Sequence, residues 1–123
     1  AAAGNVGSHF PPSDDEWKDA DSMDLLARAM RVLDARDYRV GNIDVTVICE
    51  TPKIGPHIDA MRMSLAKVLH VPSTAISIKG KTNEKMGWIG AGEGLAVHAV
   101  ALIKPQSGAA GGEAGSGGGA WPL

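Results

Sequence analysis

Thr82, Asn83 and Glu84 set a hydroxyl, an amide and a carboxylate in consecutive positions, and four glycines follow between Gly87 and Gly94. A hydroxyl and bare backbone N–H groups suit phosphate oxygens, and a carboxylate beside phosphates suits a hard divalent cation. That combination is the toolkit of a phosphate-ester site. The competing reading is a hairpin whose glycines serve only tight turns, and composition alone favours it, because an isolated glycine-rich loop is a weak signal. The histidines His9, His57, His70 and His98 show no metal-ligand spacing such as H-x-x-x-H. The single Cys49 lies in a β-type run, reads as a small buried hydrophobe, and leaves no partner for an intrachain disulfide, which fits a reducing compartment.

These groups must be carried by a regular framework. Leu26, Met30 and Leu33 recur at helical spacing after Ser22, a candidate N-cap, and predict a helix from about Ser22 to Arg36. Ile43, Val45 and Val47 alternate with Asp44 and Thr46, which predicts a strand opening at Gly41 with one buried face. After a break at Thr51–Gly55, Pro56 suits the first turn of a second helix bearing Ile58, Met61, Leu65 and Val68, ending near His70. Ala75–Lys81 and Leu95–Ile103 read as two more strands. The helix between the first two strands implies a crossover, and the last two are expected to pair antiparallel. The fold class is α/β (α+β), a mixed β-sheet with helices on one face.

The 123 residues suffice for one domain with a modest core. Twelve Lys+Arg stand against 14 Asp+Glu, which argues against a nucleic-acid backbone as ligand. No apolar run approaches the roughly 20 residues of a membrane span. Asn5–Ala20 reads as loop, and Ala1–Gly4 as the last turn of a helix whose body is absent. From residue 104 onward the Gly/Ala/Ser-rich composition predicts a disordered tail in which Trp121 is the one sticky residue.

With the loops placed, four segments resemble the 2-C-methyl-D-erythritol 2,4-cyclodiphosphate synthase family. They are Gly4–Gly7 with His9–Asp14 and Trp17–Ser22; Gly41–Ile48 with Pro52-Lys53 and Pro56–Ile58; Lys79–Glu84; and Gly90–Gly94. The resemblance covers residues 1 to about 103. It implies a homotrimer with active sites between subunits and no membrane or nucleic-acid partner. The implied reaction is intramolecular: the 2-phosphate of a cytidine-diphosphate-linked methylerythritol attacks the β-phosphorus, closing a ring and releasing CMP. Zinc on the β-phosphate and a second divalent ion, magnesium or manganese, are the implied cofactors.

The resemblance also distributes roles. Thr82 matches the threonine that stabilises the transferring phosphoryl group, and Glu84 the glutamate that binds magnesium with the substrate diphosphate. Lys81 and Asn83 complete that substrate-contacting stretch. Cys49, Glu50, Thr51, Pro52, Lys53, Ile54 and Gly55 match the cytosine pocket, formed largely by backbone groups, with Pro52 and Gly55 fixing the loop shape. Asn5, Val6 and Gly7 match an Asp-x-Gly stretch that contacts the sugar, with an amide replacing the acid. Phe10, Pro11, Pro12, Ser13 and Asp14 match the next substrate-contacting loop. Trp88 is counted with the contact residues and reads as packing at the subunit contact, while Ala91 stands where some relatives carry an arginine.

The family's zinc ligands, an Asp-x-His pair and a helix histidine, match nothing in this chain. The chain is therefore expected to be an N-terminally incomplete piece, inactive alone and either poorly soluble or unable to trimerise, of a phosphorus–oxygen lyase in non-mevalonate isoprenoid biosynthesis. Bacterial cytoplasm is the favoured location over a plastid. Two other classes would use the same loops: a non-catalytic nucleotide- or phosphate-binding module, and a structural interaction domain.

Overall fold

The computed structural model describes residues 1–106. The described residues fall into two compact units, Val40–Leu102, and Ala1–Arg39 together with residues 103–106.

Three strands form one sheet in the order β2-β1-β3: β1 is Tyr38–Ile48, β2 Ile76–Lys81 and β3 Ala96–Pro105. β1 and β2 are parallel, in a register that sets Ile43 beside Ile76, Val45 beside Ile78 and Ile48 beside Lys81. The N–H of Gln106, one residue past β3, donates to the carbonyl of Asp37, one residue before β1. The end of β3 thus meets the start of β1, and the two run antiparallel. The sheet is mixed as expected, but the expected pairing of the last two strands is corrected: β1 lies between them. The link Thr82–Leu95 is far longer than the about 2–5 residues of a hairpin loop, so the chain can pass β1 before pairing.

Helix α3 (Ile58–Leu69) is the parallel crossover and packs against β2. Its last residue, Leu69, is buried with Val40, Val45, Val47, Cys49, Ile76 and Ile78, which together are the core of this unit. Every one of them is aliphatic or the thiol, and truncating Leu69 or Ile76 to alanine would cost about 2–5 kcal/mol. Arg62 latches α3 to the start of β2, its Nε donating to Ile76 O and its Nη2 to Ser73 O, both at 2.9 Å. Pro56 lies in a 3-10 turn, Gly55–His57, ahead of α3, and His57 is its N-cap but makes no side-chain capping bond.

In the other unit, α2 (Ser22–Ala35) is capped by Asp21, whose carboxylate accepts the Met23 N–H at 2.7 Å. The expected cap, Ser22, is instead the first helical residue. Ala1–Gly4 is not helical. A single turn, α1 (Val6–His9), follows it, and Asp15–Trp17 form a 3-10 turn in the stretch expected to be loop throughout. Phe10 and Trp17 pack edge to face at 5.0 Å, and Arg28 lies over the Trp17 ring at 4.7 Å. Lys104 and Pro105 belong to β3, and Gln106 Nε2 donates to Asp34 Oδ1 and Tyr38 O. Ordered structure therefore runs past position 104, where the tail was expected to begin; residues 107–123, Trp121 among them, lie outside the described residues.

Candidate functional site

In a parallel pair, both strands deliver the chain to the same end of the sheet, and ligands of such sheets gather there. β1 ends at Ile48 and β2 at Lys81, register partners, and the Cys49 N–H continues the ladder to Lys81 O at 2.9 Å. The loop that follows β1 and the segment that follows β2 are consequently neighbours. Between them lies a cavity of about 310 Å³ lined by Cys49, Glu50, Pro52, Lys53, Ile54, Gly55, Ile58, Gly80, Lys81 and Thr82. Eight of these ten positions were singled out in the sequence; Ile58 and Gly80 were not.

The wall made by the first loop is set locally. The Cys49 thiol donates to Pro52 O at 3.4 Å, folding the loop back on the strand end. Thr51 does not line the cavity. Gly55 was expected to fix the loop's shape, but a Cβ there meets nothing within 4 Å and its φ is not positive. Shape is imposed instead across the cavity, where a Cβ on Gly80 would lie 2.7 Å from Ile54 Cγ1. A glycine inside a strand often marks such a close approach, and that signal was available in the sequence.

The second wall continues into Thr82–Met86, where Glu84 and Lys85 take φ of +52° and +62°. Two successive non-glycine residues in the left-handed region cost about 1–2 kcal/mol each, so something must hold them. Glu50 does much of this: its Oε2 accepts the Asn83 N–H at 3.0 Å and its Oε1 the Lys85 N–H at 2.7 Å. Thr82 Oγ1 accepts the Glu84 N–H at 3.3 Å, Asn83 O accepts the Met86 N–H, and Asn83 Nδ2 donates to Met86 O. The N–H groups expected to be bare for phosphate are thus occupied at Asn83, Glu84 and Lys85. Thr82 alone of the four has no acceptor among the described residues. Its hydroxyl, already accepting from Glu84, has no acceptor for its own O–H among the described residues.

Two lysines, Lys53 and Lys81, give the cavity positive charge. Glu50 opposes them, but both its oxygens face backbone donors. Glu84 is exposed and makes no ion pair among the described residues, a carboxylate open to a cation. One such carboxylate with ligand phosphate oxygens is a fitting donor set for magnesium, which seldom takes an all-protein cage. Zinc is different: among the described residues no three His, Cys, Asp or Glu side chains are grouped to hold a metal. His98 is exposed on β3, and His9 Nε2 is hydrogen-bonded to Ala3 O at 2.6 Å.

Other expected contact residues are not among this cavity's lining. Asn5, Val6, Gly7, Phe10, Pro11, Pro12, Ser13 and Asp14 belong to the unit that begins at Ala1. There Asn5 Oδ1 caps α1, accepting from Ser8 N–H at 2.9 Å and Ser8 Oγ at 2.7 Å, so only its Nδ2 is uncommitted. Asp14 Oδ1 likewise accepts the Glu16 N–H. Trp88, in the single turn α4 (Gly87–Gly90), is 57% exposed and lies over Gly94, where a Cβ would be 2.8 Å from its ring.

The profile of the YgbB family matches residues 1–104. Among curated relatives, the bifunctional enzyme IspD/IspF of Novosphingobium aromaticivorans is 51% identical over 102 residues, covering 83% of this chain and 26% of that protein. The 2-C-methyl-D-erythritol 2,4-cyclodiphosphate synthase of Xanthomonas oryzae pv. oryzae is 50% identical over 102 residues, covering 83% of this chain and 63% of that protein. The chain thus spans less than two thirds of the length of either relative. Among solved structures, the CDP complex of IspF from Plasmodium falciparum superimposes with a TM-score of 0.72 at 30% identity, covering 84% of this chain and 61% of that one.

Proposed function

The chain belongs to the YgbB family, and on that premise we propose that it carries the cytidine- and diphosphate-binding part of a 2-C-methyl-D-erythritol 2,4-cyclodiphosphate synthase. The reaction converts 4-diphosphocytidyl-2-C-methyl-D-erythritol 2-phosphate to 2-C-methyl-D-erythritol 2,4-cyclodiphosphate. An oxygen of the 2-phosphate forms a bond to the β-phosphorus, the bond from that phosphorus to the α–β bridging oxygen breaks, and CMP departs. It is a step of non-mevalonate isoprenoid biosynthesis, and the proposed setting is the bacterial cytoplasm.

Such a transfer needs little covalent help; it needs the attacking oxygen held in line and the phosphoryl charge neutralised. The observation that supports this reading is a cavity lined by both the Cys49–Gly55 loop and Gly80–Thr82. Backbone groups of Cys49–Gly55 would read the cytosine edge by donor and acceptor pattern. Thr82, through its open N–H and its hydroxyl, would donate to the phosphoryl oxygens where charge builds. Lys53 and Lys81 would hold the diphosphate by charge, and Glu84 would hold magnesium or manganese chelated by that diphosphate. The metal's contribution is neutralisation of phosphate charge. Asn5–Gly7 and Phe10–Asp14 are proposed to contact sugar and phosphate. The described residues offer no zinc donor set.

The active protein is proposed to be a homotrimer whose sites lie between subunits. Leu95, Val97, Val100 and Leu102, along and just before β3, are 40–71% exposed, apolar surface that a neighbouring copy would cover.

Phosphorus NMR of the protein that contains this chain, incubated with the diphosphocytidyl substrate and magnesium and zinc, tests the reading. Cyclic diphosphate and CMP should form in equal amounts. Substrate that persists unchanged, or nucleotide release without ring closure, contradicts it.

A further inference from the structure

We propose that Glu50 is a positioning residue, a carboxylate in the base-binding wall that holds the phosphate-binding wall in its working shape. The proposal rests on the cytidine-diphosphate reading above but concerns a side chain that the reading uses only for its backbone.

The geometry is specific. Glu50 lines the cavity, yet its two oxygens are turned to the backbone N–H groups of Asn83 and Lys85, at 3.0 and 2.7 Å. Those residues flank Glu84, so the clamp closes around the carboxylate assigned to the metal and sits one residue from Thr82. Both Glu84 and Lys85 have positive φ, a conformation that relaxes unless the surroundings fix it. A carboxylate is acceptor-only and can take both donors at once; no neutral apolar residue can. Removing it would orphan two N–H groups and free two strained residues. Thr82 and Glu84 would then lose their fixed relation. The Cys49–Gly55 wall would keep its own ties, including Cys49 Sγ to Pro52 O.

The signature is therefore a split. Nucleoside recognition survives loss of Glu50, while the extra affinity from the diphosphate and its metal does not. Calorimetric titrations of wild type, Glu50→Ala and Glu50→Gln with cytidine, and with CDP in the presence and absence of magnesium, read that split. Glu50→Ala should weaken CDP–magnesium binding by about tenfold more than it weakens cytidine binding. Glu50→Gln, which keeps one acceptor oxygen and sets its NH2 against the other N–H, should recover only part of it. Amide hydrogen exchange at Asn83 and Lys85 should quicken in Glu50→Ala while Val45 and Val47 stay protected.

Unchanged CDP–magnesium affinity in Glu50→Ala overturns the proposal. So does a matching loss for cytidine and CDP, or a Gln variant that binds CDP–magnesium as tightly as wild type. If Glu50→Ala does not fold, Glu50→Asp, whose carboxylate is withdrawn by one methylene, must show the same split. Should wild type bind no cytidine compound at all, the functional reading fails, and amide exchange at Asn83 and Lys85 alone decides whether the clamp exists.

Discussion

Gly90 approaches the backbone of Lys85 so closely that a Cβ built on it would fall 2.1 Å from the Lys85 carbonyl carbon. Lys85 is the residue whose N–H is held by Glu50, so the turn α4 packs against the same segment that the clamp holds. The requirement is for absence of a side chain, since neither neighbour can move without breaking a backbone bond. Gly90→Ala is expected to destabilise the protein by about 1–3 kcal/mol, read as a lower denaturation midpoint with unchanged m-value. A wild-type midpoint would show that the segment can yield at no cost.

Asp44 on β1 and Lys79 on β2 form a salt bridge across the parallel pair. The hydrogen bond from Lys79 holds the Asp44 carboxyl below the usual carboxylate range, and the charge of Lys79 adds to this. A carboxyl with a depressed folded pKa contributes stability that is present above its unfolded pKa and is lost as pH falls through the folded value. The difference in thermal midpoint between wild type and Asp44→Asn should thus be present at neutral pH and close as pH drops below the ordinary carboxylate range. The pair is solvent-exposed, so the difference will be small and salt-sensitive. A difference that grows on acidification contradicts the assignment.

Two glycines of the cavity should answer oppositely to alanine. Gly55 has open space around its Cβ position and should tolerate the change with its fold intact, within about 0.5 kcal/mol. Gly80→Ala would push Ile54 from its place in the wall, and the expected result is a cytidine-nucleotide affinity lowered by about tenfold, with the sheet retained. Equal effects of the two substitutions, by calorimetry and circular dichroism, would mean that Ile54 does not shape the cavity.

Thr82→Ala and Glu84→Gln separate the two proposed phosphate functions. Loss of the Thr82 hydroxyl should lower kcat by about 10²–10³ with little change in nucleotide affinity, as for removal of a donor aimed at developing charge. Glu84→Gln should raise the magnesium concentration needed for half-maximal turnover. Turnover that responds to neither substitution contradicts both roles.

Much of the fold was legible because burial is written as periodicity. The alternation of Ile43, Val45 and Val47 and the stripe through α3 are visible in the string, and both elements formed within a few residues of where they were expected. Strand order was not legible. The β2–β3 link looked like a hairpin connection, and nothing local to Ile76–Lys81 or Ala96–Pro105 says that β1 will come between them. The cap of α2 was misplaced by one residue because Asp21 and Ser22 are both good caps, and only the geometry shows which side chain turns back to Met23. At the site, residue types only suggested phosphate chemistry, and the destination of the Asn83 and Lys85 N–H groups depended on Glu50, more than thirty positions away in sequence. A carboxylate serving as a bridge between loops has no sequence signal beyond its being an acid at a strand end.

The central claim is that the cavity between Cys49–Gly55 and Gly80–Thr82 reads a cytosine and a diphosphate together. Its most direct test is a calorimetric comparison of CDP with UDP, ADP and GDP, each with magnesium. Binding of CDP at least about tenfold tighter than any of the other three is the predicted result. Equal affinity for all four, or none for any, would contradict it.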